Sequence, residues 1–187
     1  MSRHLYLMRH GQVEADSPAS DKQRPLSALG RQQAVDAGAL LADRGIGVVM
    51  SSTAERCRQT VAGLDLPGAP RLEFQEALYL ADVETLLERI GEIEDEVTAL
   101  LVVGHSPGLP ALAAELSYDA DHGDADAQRC AFPVSSVTEI EVPGSWSSLA
   151  EGDREGVRLV GTVGASGAYG ASGAYGASGA YGAPASC

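Results

Sequence analysis

Apolar positions along the chain follow two rhythms. Leu5-Tyr6-Leu7-Met8 and Ala99-Leu100-Leu101-Val102-Val103 are continuous apolar runs of strand length. With no polar position left to face water, such runs predict strands buried within a covered sheet, the first stopped by Gly11. Elsewhere apolar residues recur at helical spacing. Leu29, Ala34, Ala37, Leu40 and Leu41 do so behind Ser27, a capping residue, and ahead of Gly45, a terminator. Leu86, Leu87 and Ile90 share one helical face within residues 83–93. Ser52 or Thr53 is placed to cap a helix ending near Gly63. Pro107 stands where a helix running to about Ser117 begins, the position proline favours. Ile46 to Met50, Leu72 to Phe74, Ser135 to Val142 and Val157 to Val163 read as further strands. Gln12 to Pro25 reads as a polar loop and Tyr118 to Arg129 as an acidic one.

Strand and helix thus alternate. The expected fold is α/β: a single-domain three-layer sandwich with a mostly parallel central sheet and helices on both faces. Residues 1–163 are expected to form this domain. From Gly164 the unit Gly-Ala-Ser-Gly-Ala-Tyr repeats three times. It is too small and too glycine-rich to bury a core, so residues 164–187 are expected to form a disordered tail.

Composition narrows the partners. The formal charge of −13 opposes encounter with nucleic acid or an anionic membrane. It leaves anionic small substrates open, given a local basic pocket. The acidic stretch from Glu84 to Glu96 reads as a solvated helix face. Aromatics make up 5% of residues, so the core is expected to be Leu, Val, Ile and Ala. Cys57, Cys130 and Cys187 show neither disulfide-framework nor metal spacing. They read as free thiols in a reducing cytoplasm. The first apolar run is too short for a signal peptide, and no run approaches the ~20 residues of a membrane span. A cytoplasmic monomer without metal or cofactor is expected.

Candidate chemistry gathers where predicted strands end. Arg9-His10-Gly11 closes the first strand, Gly104-His105-Ser106 closes another, and Ser51 to Thr60 carries Arg56 and Arg58. Residues at strand ends lie on the lip of a sheet, where α/β folds place their sites. These three pieces resemble the histidine phosphatase (phosphoglycerate mutase-like) superfamily. The compact length, Arg24-Pro25-Leu26-Ser27 and Leu78-Tyr79-Leu80-Ala81 are similar to the small bacterial SixA-type phosphohistidine phosphatases. The resemblance spans residues 3–142.

It implies that His10 is phosphorylated as nucleophile and that Arg9, Arg56 and His105 bind the phosphoryl oxygens. The chemistry agrees. A neutral imidazole needs no base to attack phosphorus, and neighbouring guanidinium groups disfavour its protonation. The same groups stabilise charge on the equatorial oxygens without metal. Gly11 and Gly104 would let backbone approach the phosphate, and a helix starting at Ser106-Pro107 would aim amides at it. Arg58, two residues beyond Arg56, reads as a surface residue, and His4 and His122 as structural or solvated.

For an alkoxide leaving group a proton donor is also required. By position Glu76 matches the superfamily's glutamate, with Asp82 the alternative. The Glu-Arg-His-Tyr-Gly-type segment of mutases is missing, and Gln12 to Asp16 lacks their serine or asparagine contacts, which disfavours a mutase. The expected function is a metal-independent phosphatase acting on phosphohistidine of a protein. The alternatives are a phosphomonoesterase for a sugar phosphate or nucleotide, a phosphate-recognition module without turnover, and self-association through the tyrosines of the tail.

Overall fold

The computed structural model describes residues 2–117 and 132–164. Strand β1 (Arg3–Arg9) has the two-residue period of a pleated strand. Leu5 and Leu7 enter one hydrophobic core, and Tyr6 and Met8 enter another. Strands β2 (Val48–Ser52) and β4 (Ala99–Gly104) are buried at every position. They divide in the same way: Val48, Met50, Leu100 and Val102 on the first side, Val49, Leu101 and Val103 on the second. The continuous apolar runs therefore mean what the pattern predicts, strands covered on both faces.

With β3 (Arg71–Gln75), β5 (Ser136–Val142) and β6 (Arg158–Gly164), the sheet order is β3-β2-β4-β1-β5-β6. The first four strands in that order are parallel. β5 runs antiparallel to β1, and β6 antiparallel to β5. Helices α1 (Ala28–Leu41) and α2 (Glu55–Leu64) cover the second core. Helices α3 (Val83–Gly91), α4 (Gly108–Ser117) and α5 (Trp146–Ala150) cover the first. This is the expected α/β sandwich. β4 lies between β1 and β2, so the carboxyl ends of three parallel strands adjoin along one edge.

Several local expectations are corrected. Leu40 is exposed; the buried stripe of α1 is instead Gly30, Gln33, Ala34, Ala37, Gly38 and Leu41. Small residues serve there because α1 and α2 are in close contact: a Cβ on Gly38 would lie 1.8 Å from the Leu64 carbonyl oxygen. Strand β2 runs two residues further than expected, to Ser52. Neither Ser52 nor Thr53 caps α2, whose N-cap is Ala54 with no side-chain hydrogen bond. Pro107 sits just ahead of α4 rather than in it, its carbonyl accepting from the Ala111 amide at 3.1 Å. Helix α5 was not expected, being too short to show a period. Ser145 caps it, and the fully buried Trp146 donates from Nε1 to the Val97 carbonyl at 2.9 Å. The acidic loop with His122, Cys130, Cys187 and the repeats beyond Gly164 lie outside the described residues.

Candidate active site

His10 continues from the end of β1. Its amide donates to the Gly104 carbonyl at 3.1 Å, carrying the parallel ladder one step past the strand. The Ser135 amide, shared between the carbonyls of Arg9 and His10, fixes the same turn from β5's side. His10 Nδ1 lies 2.7 Å from the Gly11 carbonyl oxygen. A carbonyl only accepts, so Nδ1 carries the proton and Nε2 is left with a bare lone pair. The residue is 8% exposed. Burial pushes its pKa down to about 3; Arg56, His105 and Arg9 push the same way, against the pull of the Gly11 carbonyl. At neutral pH His10 is an uncharged imidazole.

The part played by Gly11 differs from the expected one. Its amide is spent on Thr60 Oγ1 at 3.1 Å, and its carbonyl on His10. A Cβ there would lie 2.6 Å from the Gly30 carbonyl oxygen, and a Cβ on Gly30 would lie 2.0 Å from that of Gln12. The two glycines let the start of α1 close onto the His10 loop. Gly11 thus sets the tautomer of His10 and offers its own N–H to Thr60. Gly104 has ordinary room: a Cβ there would meet a Leu109 methyl at 3.4 Å.

His105 follows β4, its ring centroid 5.4 Å from that of His10. Arg56 Nη2 lies 3.2 Å from its Nδ1. A guanidinium only donates, so Nδ1 accepts and the proton sits on Nε2, which donates to Ser52 Oγ at 2.8 Å. Burial, followed by the charge of Arg56, lowers this imidazole to about 4. Cys57 Sγ is 3.7 Å from the same Nε2, and burial pushes its thiol up to about 12. It is a neutral thiol.

Arg56, in the first turn of α2, is 4% exposed. Its fork grips the single-turn helix Asp21–Gln23: Nη1 donates to the Asp21 carbonyl, and Nη2 to Asp21 Oδ2 at 3.0 Å. The Tyr79 hydroxyl donates to the same Oδ2 at 2.8 Å, and the Tyr79 ring stands edge-on to His105 at 5.5 Å. That hydroxyl, then Arg56, holds the Asp21 carboxyl below its usual range. Arg9 Nη1 donates to the Phe132 carbonyl at 2.9 Å, and its charge acts on both imidazoles. The structure therefore brings His10, Arg9, Arg56 and His105 together. Asp21, Tyr79 and Ser52 complete the site. Sequence reasoning missed Asp21 because a carboxylate in a polar loop has no periodicity or cap to mark it.

The two expected proton donors are placed otherwise. Glu76, directly after β3, faces the Lys22 ammonium with both oxygens and accepts from Thr53 Oγ1. Its side chain is 66% exposed, and Lys22 followed by Thr53 keeps the carboxyl below its usual range. Asp82 caps α3 through the Thr85 amide at 2.9 Å, which lowers it as well. Both carboxyls are thus engaged by neighbouring groups that hold them below their usual range. Arg58 lies over the Phe74 ring on the surface, and His4 pairs with Glu139 at the far end of β1, both outside the site.

Comparisons with known proteins agree with this fold and give the family. The model of the histidine phosphatase superfamily, branch 1, matches residues 5–79. An uncharacterized protein of Mycobacterium tuberculosis, Rv1276c, is 36% identical over 151 residues, 78% of this chain and 93% of that one. A structure described as a SixA phosphohistidine phosphatase from Nakamurella multipartitia superposes with a TM-score of 0.78 at 31% identity, covering 89% of this chain and 98% of that one. A mycobacterial glucosyl-3-phosphoglycerate phosphatase shares the fold, with a TM-score of 0.62 at 20% identity over 86% of this chain and 98% of its own. With two histidines and two arginines meeting at the carboxyl edge of the sheet, the chain belongs to the histidine phosphatase superfamily and is a phosphatase.

Proposed function

We propose that this phosphatase works through a phosphohistidine intermediate on His10 and dephosphorylates phosphohistidine carried on a protein. The observation that carries the reading is the hydrogen bond from His10 Nδ1 to the Gly11 carbonyl. It commits the proton to one nitrogen and leaves the other as a nucleophile that needs no base. His10 Nε2 attacks phosphorus while Arg9 and Arg56 hold the equatorial oxygens and His105 flanks them. Their permanent charges neutralise the phosphoryl group, so the step needs no metal. Water then cleaves phospho-His10, and the Nδ1 proton lets the ring leave as neutral imidazole.

The proton inventory supports this substrate class. An alkoxide leaving group requires a carboxylic acid, and Glu76 and Asp82 are carboxylates. The imidazole of phosphohistidine carries its own proton. Likeness to the Nakamurella SixA structure supports the same class. The test is substrate profiling of the wild type beside His10→Ala, with phosphohistidine peptides, sugar phosphates and nucleotides at matched concentration. Expected are a clear preference for phosphohistidine, an acid-labile phosphoryl group trapped on His10, and loss of essentially all turnover in His10→Ala. Preference for a sugar phosphate or nucleotide would instead favour a small-molecule phosphomonoesterase. Turnover surviving in His10→Ala would end the proposal.

A further inference from the structure

We propose that Asp21 recognises the leaving imidazole of the substrate, its carboxylate accepting a hydrogen bond from the ring nitrogen that does not carry phosphorus. The inference rests on the reading of phosphohistidine as substrate. When His10 Nε2 bonds to phosphorus, the substrate's P–N bond breaks. Its electron pair returns to the nitrogen that held the phosphoryl group. If the other ring nitrogen is protonated, the phosphorylated ring is cationic and leaves as neutral imidazole. No proton has to be delivered to it. Such a ring needs an acceptor at its far nitrogen, not an acid at its near one. His10 already has this arrangement, with the Gly11 carbonyl as acceptor. Asp21 is the matching acceptor for the incoming ring.

Three observations place it there. Asp21 is hydrogen-bonded to Arg56, which also bonds His105, so its carboxylate adjoins the group that grips phosphate. Its side chain is 50% exposed where that of Arg56 is 5% exposed, which puts Asp21 at the rim through which a leaving group departs. Arg56 and Tyr79 both engage Oδ2, whereas Oδ1 meets the Arg24 guanidinium at 3.5 Å, beyond a good hydrogen bond. Glu76 is not equivalent, because Lys22 and Thr53 engage its oxygens. The Tyr79 ring, with its hydroxyl on Asp21, gives a flat imidazole an aromatic neighbour. Tyr79 and Arg56 also keep the carboxyl in its accepting form.

The experiment compares kcat/KM for a phosphohistidine peptide and for p-nitrophenyl phosphate in wild type, Asp21→Asn and Asp21→Glu. Asparagine still accepts from Arg56 and Tyr79, so the turn stays anchored, but the charge that favours an imidazolium is gone. The expected result is that the phosphohistidine-to-aryl-phosphate ratio falls about tenfold or more in Asp21→Asn. Asp21→Glu, which keeps the carboxylate, should retain more of the ratio. A ratio within about twofold of wild type in Asp21→Asn would overturn the inference, because Asp21 would then serve Arg56 alone. Wild type that does not turn over the phosphohistidine peptide would instead sink the substrate assignment, before any variant is measured.

Discussion

Replacing His10 with asparagine tests whether the proposed nucleophile is held neutral. Asparagine keeps an N–H for the Gly11 carbonyl but does not titrate. In the unfolded chain a histidine takes up its proton near pH 6.5; in the folded protein His10 does so only near 3. Between those values the unfolded state binds more protons, so stability falls as pH is lowered through the window. One pKa unit corresponds to about 1.4 kcal/mol, so the full difference approaches about 5 kcal/mol below pH 3. At pH 5 the contribution already lost is about 2 kcal/mol. Urea denaturation near pH 8 and again near pH 5, with midpoints converted through a common m-value, reads this directly. Wild type should lose about 2 kcal/mol more than His10→Asn between the two conditions. The other histidines are present in both proteins and cancel in the comparison. Parallel decline of the two proteins would refute the buried, neutral ring and with it the base-free nucleophile.

Arg56→Lys keeps the charge but loses the fork that serves Asp21 and His105 together; turnover should fall about 100-fold or more in steady-state assays. Gly30→Ala drives a Cβ to 2.0 Å from the Gln12 carbonyl oxygen, so the His10 loop must move. A stability loss of about 1–3 kcal/mol and a lower kcat are expected, and an unchanged melting curve would contradict the close approach. Glu76→Gln should leave phosphohistidine turnover within about twofold of wild type, because the carboxylate is already ionised against Lys22. A loss of tenfold or more would restore Glu76 as proton donor.

The layers of the fold were legible because burial writes itself into composition. β4 has no polar side chain, and a strand with none must be covered on both faces. His10, Arg56 and His105 were legible because each stands at or just beyond a strand end, and the topology brings the ends of β1, β2 and β4 to one edge. Asp21 and Ser52 were not. Asp21 lies 35 residues from Arg56 in a loop without pattern. Ser52 looked like a helix cap, and its hydroxyl does take the Ala54 amide at 3.2 Å, yet it also accepts from His105. Trp146 was silent for another reason: five helical residues are too few to display a period, and the helix is held by tertiary packing.

On the proposed mechanism, one environment separates three candidate nucleophiles. Cys57 and His105 are close neighbours, and His10 stands one ring away. Burial acts on all three in the same direction, toward the uncharged form. For a thiol that form is unreactive, since the thiolate is the nucleophile. For an imidazole it is the reactive form, since protonation would occupy the attacking lone pair. The arginines alone would activate a cysteine by favouring its anion, and Arg56 does pull Cys57 that way, but burial outweighs it. His105 is equally neutral, yet its Nδ1 lone pair points at Arg56 and its Nε2 proton at Ser52, so neither nitrogen is free to attack. Of these three, His10 alone combines an uncharged ring with a proton parked on a carbonyl and a nitrogen without a hydrogen-bond partner among the described residues. The proposed choice of His10 as nucleophile thus rests on a desolvated pocket and three hydrogen-bond partners, the Gly11 carbonyl, Ser52 and Arg56.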